Sequence, residues 1–504
     1  MPEYFRSLIV ILALSSVFFA FAGRPASAII GSLHFTTRRN LWFGLTFVAF
    51  LAHNFWVYAF LAIQMLIYSY KHETNPPALF FFVLFALPIG FVQIPGMGLI
   101  NFLFELSHQR IMALAVLLPA FFSLIQKSET ISFGRTGPDK VLATYLLLGI
   151  VLYLRDNSVT NTTRIALNLF IDVFLPYFVI SRSLTNLQAF RDALLSIVLA
   201  IMVLAPIAMF EFSTHWLLYS SIKNVLGLES AMTGYLGREG RIRAIATAGQ
   251  PIALGYLMVV AIGFYLFLLR TIRRKLARRI GMGILGGGLI AALSRGPWLG
   301  AASLILAFVA TGRKPAARLT GLALAAMLTL AVIPMLPGGE KVYNLLPFIG
   351  TTEKGGIDYR EDLITNSMIV IQRNPWFGSV NYLDTPEMQG LIANHKIDVV
   401  NTYVQIALER GLVGLGLFVS FFALVLIGVY RAMRSISDKD SEEHLLGRAL
   451  LSTLLAILLI ITTVSSISII PVVYWSVAGL GVAYTQMARR TQAVYAEDKR
   501  QQTH

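Results

Sequence analysis

The fold is decided by the stretch at residues 251–279, which reads PIALGYLMVVAIGFYLFLLRTIRRKLARR. Its first 19 residues carry no charge, and a helix of about 20 such residues crosses the hydrocarbon core of a bilayer. The next ten residues contain six arginines and lysines. Because positive residues beside a span stay on the cytoplasmic side, this stretch predicts both a transmembrane helix and its orientation.

The composition extends this prediction to the whole chain. Of its 504 residues, 56% are hydrophobic and 13% are charged, and the mean hydropathy is +0.69. A soluble domain of this length does not have this balance, whereas a series of spans of about 20 residues does. The apolar runs are too long for barrel strands. We therefore predict an all-α fold, a polytopic transmembrane helical bundle.

Charge and motifs exclude several classes of function. The net charge is +15, but most basic residues lie in short loops, where they determine topology rather than bind nucleic acid. The absence of cysteine excludes disulfides, thiol nucleophiles and thiolate metal sites. The sequence contains no Walker loop, dinucleotide fingerprint, zinc-helix motif or nucleophile elbow. We expect no ATP-driven pump, no nucleic-acid partner, no metal site and no cofactor.

The apolar runs predict about 14 spans, within a range of about 12 to 15. They lie at residues 5–22, 41–69, 77–95, 110–125, 139–154, 165–182, 190–210, 246–269, 278–293, 297–312, 318–336, 408–430, 446–463 and 465–486. The run at 41–69 is overlong and is interrupted at His53 and Asn54, so it forms either one helix or two short ones. The first run ends in RPASA at 24–28, which is similar to a signal-peptide cleavage site, although multi-spanning proteins usually retain their first helix.

Basic loops give the orientation of the bundle. Residues 270–279 are the strongest cytoplasmic signal, and three further inner segments agree with it, at Arg313–Arg318, Arg431–Arg434 and Arg489–Arg490. Arg38 and Arg39 fall on the outer side if 41–69 is one helix. We divide the chain into N-terminal transmembrane helices (1–211), an outer loop (212–245), transmembrane helices (246–336), a large outer loop (337–407), C-terminal transmembrane helices (408–487) and a cytoplasmic tail (488–504).

The two outer loops contain the candidate site. The large loop predicts an interfacial helix at 360–373 and a short helix at 399–410 that ends at Gly411. The first loop carries Arg238, Arg241 and Arg243, followed by Gln250 at the mouth of a span. Arginine suits bidentate contact with phosphate, so these side chains predict an anionic substrate, although they can also bind lipid headgroups or pair with Glu239.

Other candidates are weaker. Arg295 lies in the junction Ser294-Arg-Gly-Pro297 between two spans, where it either binds the same anion or anchors the interface beside Trp298. His395 is the only histidine of the large loop and is either a base or a bystander. Inside the spans Asp172 stands nearly alone as an ionisable group, which argues against an ion-coupled transporter.

Three blocks give the chain a family resemblance. They are GRIRAIATAGQP at 240–251, LSRGPWLG at 293–300, and a third block that runs from Tyr359 and Arg360 through NPWFG at 374–378 to VNTYVQIALERGLVG at 400–414. In this order the blocks resemble the O-antigen ligase and polymerase superfamily, whose members act on undecaprenyl-diphosphate-linked glycans.

The resemblance implies glycosyl transfer at the outer face, without a nucleotide sugar or an obligatory metal. Arg243 and Arg360 would stabilise the charge that develops on the leaving diphosphate. Arg238, Arg241, Arg295, Gln250 and Asn401 would bind the substrate. A base would activate the acceptor hydroxyl. Ligases of the family usually have a histidine where this chain has Val400, so His395, Asp398 or Glu409 would serve instead, or the acceptor needs less activation.

These features favour a glycosyltransferase of the bacterial inner membrane that polymerises exopolysaccharide or O-antigen repeat units, with its active face in the periplasm. The alternatives are a ligase that transfers glycan to lipid A core or protein, and a flippase of lipid-linked oligosaccharide. The expected partners are the undecaprenyl-diphosphate-linked glycan, a glycan acceptor and membrane lipids. Other polysaccharide-assembly proteins are further candidate partners.

Overall fold

The computed structural model describes residues 1–96, 98, 101–229, 232–238, 240–332, 335, 354–391, 397–467 and 469–501. In the described residues the helices, numbered in chain order, are α1 (Glu3–Ile30), α2 (Ser32–Leu51), α3 (Phe55–Lys71), α4 (Pro76–Val83), α5 (His108–Gln126), α6 (Gly137–Asp156), α7 (Val159–Ser183), α8 (Leu187–Thr214), α9 (Ile222–Leu226), α10 (Pro251–Leu268), α11 (Lys275–Ala291), α12 (Arg295–Ala310), α13 (Pro315–Val332), α14 (Lys354–Arg373), α15 (Pro386–Gln389), α16 (Thr402–Arg434), α17 (Glu442–Ile460) and α18 (Ile470–Gln501).

The all-α prediction is confirmed. Across the described ranges, nine helices are long and apolar enough to cross a membrane, namely α1, α5, α6, α7, α8, α10, α13, α16 and α17, and α12 is a shorter apolar helix. Strand pairing there is confined to two antiparallel hairpins, β1 (Phe91–Pro95) with β2 (Phe102–Ser107) and β3 (Gly237–Arg238) with β4 (Arg241–Ile242). The charge-free span of residues 251–268 lies in the centre of the bundle, where α10 packs against α8, α11, α12 and α17.

The structure selects one of the two alternatives for the run at 41–69 and differs from the prediction at 77–95. The run at 41–69 forms two helices, α2 and α3, because His53 adopts a left-handed φ of 51° and Asn54 caps α3 by accepting from the Trp56 N–H at 2.8 Å. The run at 77–95 was wrongly predicted as one helix. Its helix α4 ends at Val83, and Phe91–Pro95 is a strand, because Pro88 and Gly90 interrupt the apolar run.

The basic loops meet at one end of the bundle, which we call the basic end. Arg191 pairs with Glu442, and both Arg270 and Arg313 lie against Asp440. Three loops that the sequence places on the cytoplasmic side therefore share one face of the protein. The helices α8, α10, α11 and α12 run from this end to the opposite end, where residues 211–229, 232–238, 240–251 and 291–298 lie. We call it the loop end.

Splitting 41–69 into two helices also resolves the position of Arg38. Its buried guanidinium bonds to Glu73 at 2.8 and 2.9 Å, to Ser196 at 2.9 Å and to Asp192. Asp192 is the neighbour of Arg191, so Arg38 belongs to the basic end. Arg38 would lie on the outer side only if residues 41–69 formed one helix.

Candidate functional site

A buried acid holds the arginine-rich loop in place. Glu211 lies near the end of α8 and is fully buried. Its carboxyl group accepts three backbone hydrogen bonds, from Leu218 N at 3.1 Å, Ile245 N at 3.0 Å and Ala246 N at 2.9 Å. All three partners are donors, which offsets part of the cost of removing a carboxylate from water. Through these hydrogen bonds, Glu211 holds both ends of the loop between α8 and α10 against the bundle.

Glu211 was not predicted from the sequence. Its signal is a single acid between Phe210 and Phe212, where α8 ends and the outer loop begins. An acid with apolar neighbours at a span end needs hydrogen-bond donors, which a loop backbone supplies. Its donors lie as many as 35 residues away along the chain, so the sequence gives no indication of which segment it holds.

The arginine hairpin, β3 and β4, docks onto the junction between α11 and α12. Arg238 pairs across the hairpin with Arg241, and Gly240 in the turn has a φ of 72°. The Arg238 Nη1 donates to the carbonyl of Leu293 at 2.9 Å, and two residues beyond the hairpin Ala244 N donates to the carbonyl of Ala291 at 3.0 Å. The first two sequence blocks are thus brought together.

The predicted arginines differ in exposure. Arg241 is exposed, with its guanidinium 5.3 Å from the ring centroid of Phe212, whereas Arg238, Arg243 and Arg295 are half-buried. The backbone N–H of Arg243 donates to the carbonyl of Leu236 at 2.9 Å. Arg295 is the first residue of α12, so it stands where the unpaired N–H groups and the positive end of that helix are. This end of the bundle therefore concentrates positive charge.

The turn before α10 explains the glycine and threonine of the first block. Thr247 is buried and its hydroxyl donates to the carbonyl of Phe85 at 2.9 Å. Gly249 has a φ of 74°, which favours glycine, and its carbonyl accepts from Thr233 N at 2.8 Å. Gln250 follows at the N-cap of α10, half-buried and without a side-chain cap bond. The contact of Gln250 with substrate stays a prediction.

The third block is held together by a kink in α16. Gly411 has a φ of 66° and a ψ of −172°, which breaks the helical ladder. The freed Leu412 N–H donates to the carbonyl of Pro375 at 2.7 Å, and the Val413 N–H donates to the carbonyl of Trp376 at 3.2 Å. A side chain at Gly411 or at Gly378 would overlap the opposite backbone. The NPWFG segment therefore fits into the kink because both positions are glycine.

Arg360 is linked to the start of α16 through its neighbour Tyr359. The Tyr359 hydroxyl donates to the carbonyl of Asp398 at 3.1 Å and accepts from the Asp398 N–H at 3.2 Å. Burial raises the pKa of Tyr359, which keeps the hydroxyl protonated for this double role. Arg360 itself is exposed on α14. The Asp398 carboxylate is exposed and accepts from the Ser465 hydroxyl at 2.7 Å.

Residues 461–465 connect the second and third blocks. Thr402 N donates to the carbonyl of Ile461 at 2.9 Å, and the Thr402 hydroxyl donates to that of Val464 at 2.8 Å. On the other side, a Cβ added at Gly296 would lie 3.2 Å from the Thr463 Cβ, so the Ser-Arg-Gly junction touches the same loop. All three blocks thus lie in one contiguous network at the loop end.

The predicted base and binding residues of the third block are only partly described. His395 lies outside the described residues. Val400 is half-buried and packs against a small apolar cluster around Val399 and Leu408. The Asn401 side chain caps α16, accepting from Tyr403 N at 2.9 Å and Val404 N at 3.2 Å. This cap gives Asn401 a structural role, and its contact with substrate stays a prediction.

The remaining base candidate, Glu409, lies beside a buried cation. Its carboxylate is 3.7 Å from the guanidinium of Arg410, which is buried and lies 4.4 Å from the ring centroid of Tyr145. In the described part of the chain no group of three His, Asp or Glu side chains is arranged to hold a metal ion. Asp398 and Glu409 are the two base candidates in the described residues. Of these two, Asp398 is hydrogen-bonded to Tyr359, the neighbour of Arg360.

A cavity of about 340 Å³ opens at the loop end between β2, α6 and α7. Its walls carry aromatic rings, amides and charged groups, from Phe102, Phe104, Glu105, Tyr153, Asn161, Arg164, Ile165 and Asn168. Two buried polar atoms, the Arg164 Nε and the Asn168 Oδ1, make no hydrogen bond to the described residues. The neighbouring Arg155 donates to the carbonyl of Gly378 at 2.9 Å, so the cavity adjoins the third block.

The family resemblance is confirmed over part of the chain. Residues 280–419 match the family model described as O-antigen ligase, a range that contains the second and third blocks. No curated protein matches the chain. The match supports an O-antigen ligase-type membrane glycan transferase, a class that acts on a lipid-linked glycan and an acceptor.

Replacing Glu211 tests whether it holds the arginine loop. Glu211→Gln keeps the size of the side chain but turns a donor amide toward backbone N–H groups. We expect a loss of about 1–3 kcal/mol in stability, because at least one buried N–H is left unpaired. Hydrogen–deuterium exchange of the detergent-purified protein should be faster at residues 217–218 and 241–249. Glu129→Gln, an exposed acid, is the control, and equal exchange in both variants would contradict this role.

Proposed function

We propose that this protein transfers a glycan from an undecaprenyl-diphosphate-linked donor to an acceptor, at the loop end of the bundle. The observation that carries the proposal is the docking of the arginine hairpin onto the Ser-Arg-Gly junction, through Arg238 and Leu293. This contact collects Arg238, Arg241, Arg243 and Arg295 at the loop end. The basic loops at the other end support an outer position for it. A donor diphosphate at the membrane surface is an anion that these guanidiniums suit.

The proposed step is a displacement at the anomeric carbon of the donor sugar. The acceptor hydroxyl oxygen forms the new glycosidic bond, and the bond from the anomeric carbon to the phosphate oxygen breaks. The bonding electrons leave with the diphosphate, where Arg243 and Arg360 stabilise the growing negative charge. Arg238, Arg241 and Arg295 bind the diphosphate before the reaction. No metal ion takes part in the proposed step.

A base must accept the proton of the acceptor hydroxyl. We propose Asp398, because its carboxylate is exposed and its backbone is bonded to Tyr359, the neighbour of Arg360. The Ser465 hydroxyl donates to this carboxylate and fixes its orientation. Glu409 and His395 are the alternatives. Val400 packs into an apolar cluster at the position where family ligases usually have a histidine, so it supplies no base.

The glycan of the donor or acceptor fits the cavity beside the third block. Sugars present apolar ring faces and many hydroxyls, which suit the aromatic rings of Phe102, Phe104 and Tyr153 and the amides of Asn161 and Asn168. This cavity is too small for a long polymer, so it would hold the sugars nearest the reaction.

Polymerisation of exopolysaccharide or O-antigen repeat units is the reaction that we propose, because Val400 departs from the ligase pattern. Transfer of finished glycan to lipid A core or protein is the second candidate. A flippase is the third, and it would need its cations along an internal cavity rather than at one end of the bundle. The proposed location is the bacterial inner membrane with a periplasmic active face, and other polysaccharide-assembly proteins are proposed partners.

Orientation can be tested with single cysteines, because the natural chain has none. Tyr235→Cys lies at the loop end and Arg279→Cys at the basic end, and both positions are exposed. In intact spheroplasts an impermeant maleimide should label position 235 and leave position 279 unlabelled until the cells are lysed. The reverse pattern would place the arginine hairpin in the cytoplasm and contradict the proposal.

Arginine variants test the reaction. In a deletion strain complemented at equal protein level, Arg243→Ala and Arg360→Ala should each lower glycan product about 10²- to 10³-fold, the usual loss when a group that stabilises transition-state charge is removed. Arg373→Ala is the matched control on the same helix as Arg360, since its exposed side chain pairs with Glu387. It should keep product within a few-fold. Normal product in both test variants would contradict the diphosphate role.

The glycans that accumulate in the deletion strain identify the reaction. Single lipid-linked repeats on the periplasmic side indicate a polymerase. Lipid-linked long chains indicate a ligase, and repeats held on the cytoplasmic side indicate a flippase.

A further inference from the structure

A second charged cleft lies at the basic end, on the opposite side of the bundle from the proposed transfer site. It has a volume of about 890 Å³ and lies between α1, α8 and the segment that joins α10 to α11. Every charged residue in its wall is an arginine: Arg24, Arg191, Arg273 and Arg274. The cleft is therefore strongly positive.

Three of these arginines are not neutralised by the protein. Arg191 pairs with Glu442. Arg24, Arg273 and Arg274 are exposed, and none of them forms an ion pair or a side-chain hydrogen bond with the described residues. Guanidiniums that converge on one space repel one another and attract a shared anion. Phosphate is the anion whose oxygens match the geometry of the guanidinium fork.

An apolar cleft continues from this one into the bundle. The two clefts share the walls formed by Phe21, Pro25, Ile29, Ile272 and Ala277. The inner cleft then passes Leu195, Val198 and Met202 of α8 and presents almost no polar surface. A free phosphate ion would occupy only the outer cleft, whereas a lipid would place its phosphate among the arginines and an acyl chain along the apolar wall.

We propose that this cleft is a binding site for an anionic phospholipid. The headgroup phosphate contacts Arg24, Arg273 and Arg274. One acyl chain lies along the apolar side of α1, with its first methylenes in the inner cleft, which has a volume of about 40 Å³. Anionic lipids give the cytoplasmic leaflet a negative surface potential, and this is the surface that the basic end would meet. Such a lipid would bridge α1 to the loop after α10. The proposal is independent of glycan transfer.

The site also accounts for the RPASA segment at 24–28. The structure places this segment within α1, where Arg24, Pro25 and Ala28 line the cleft. Ala28 is small and exposed at the mouth, which leaves room for a headgroup. The small residues that resemble a cleavage site thus have a structural use in the folded protein.

The test measures lipid binding to the full-length protein by native mass spectrometry and by thermal unfolding in dodecyl maltoside. Addition of dioleoylphosphatidylglycerol should give a bound adduct and a higher melting temperature. Dioleoylphosphatidylcholine should give much less of either. The triple variant Arg24→Gln/Arg273→Gln/Arg274→Gln should weaken binding of the anionic lipid at least tenfold, about 1.4 kcal/mol.

Two further variants distinguish lipid binding in the cleft from general attraction to the positive surface of the basic end. Arg279→Gln/Arg431→Gln/Arg434→Gln removes the same charge from the basic end without touching the cleft wall, and it should bind the lipid as the natural protein does. Ala28→Trp keeps every charge but fills the mouth, and it should weaken binding. If the triple control loses binding equally, or if Ala28→Trp binds normally, the cleft is not the site.

A third experiment distinguishes binding of the lipid from binding of free phosphate. Inorganic phosphate, added over a range of concentrations, should neither raise the melting temperature nor displace the lipid, because it gains nothing from the apolar cleft. Stabilisation by inorganic phosphate equal to that by phosphatidylglycerol, and lost in the triple variant, would overturn the lipid assignment. Both triple variants should unfold at the temperature of the lipid-free natural protein, which shows that a loss of binding is not a loss of fold.

Discussion

The loop end depends on one buried carboxyl group. Glu211 receives the N–H groups of Leu218, Ile245 and Ala246, and so fixes where the loop leaves α8 and where it returns to α10. Removing a carboxylate from water costs several kcal/mol, and hydrogen bonds to a charged group return about 1.5–3 kcal/mol each. Three such bonds offset part of that cost. A buried acid is stable here because the loop folds around it.

The other contacts of the loop end form a connected series that begins at Glu211. The loop held by Glu211 carries the arginine hairpin onto the carbonyls of Ala291 and Leu293. The junction that follows packs through Gly296 against Thr463, and the same short loop bonds to Thr402 at the start of α16. In α16 the kink at Gly411 receives the NPWFG segment, which fixes the end of α14. Distant sequence blocks thus become neighbours through backbone hydrogen bonds and glycine contacts.

Local features of the sequence were predictable, and contacts between distant segments were not. Hydropathy gives the apolar helices because each span satisfies its own backbone, and α10 follows its run closely. The same criterion failed at 77–95, where Pro88 and Gly90 interrupt the apolar run. The candidate arginines were identified by their charge next to a predicted span. Glu211 was missed because its donors lie far away along the chain, and hydropathy contains no information about which loop folds back.

Arginines that pair with acids and arginines that are exposed have different roles in this bundle. At the basic end, Arg38 and Arg191 are paired with acids and join helices together. At the loop end, Arg241 and Arg360 are exposed on elements whose backbones are fixed by other residues. Because other residues hold the backbone at Arg241 and Arg360, their guanidiniums can bind a ligand without a loss of stability. We propose glycan transfer at the loop end because the arginine hairpin and the Ser-Arg-Gly junction lie together there.

The most direct test of this account is a cryo-electron microscopy structure of the protein in lipid nanodiscs with an undecaprenyl-diphosphate-linked oligosaccharide. The account predicts density for the diphosphate at the loop end, within hydrogen-bond distance of Arg243 or Arg360, with the first sugars directed toward Tyr153. Diphosphate density at the basic end, or at the loop end without contact to any of Arg238, Arg241, Arg243, Arg295 and Arg360, would contradict it.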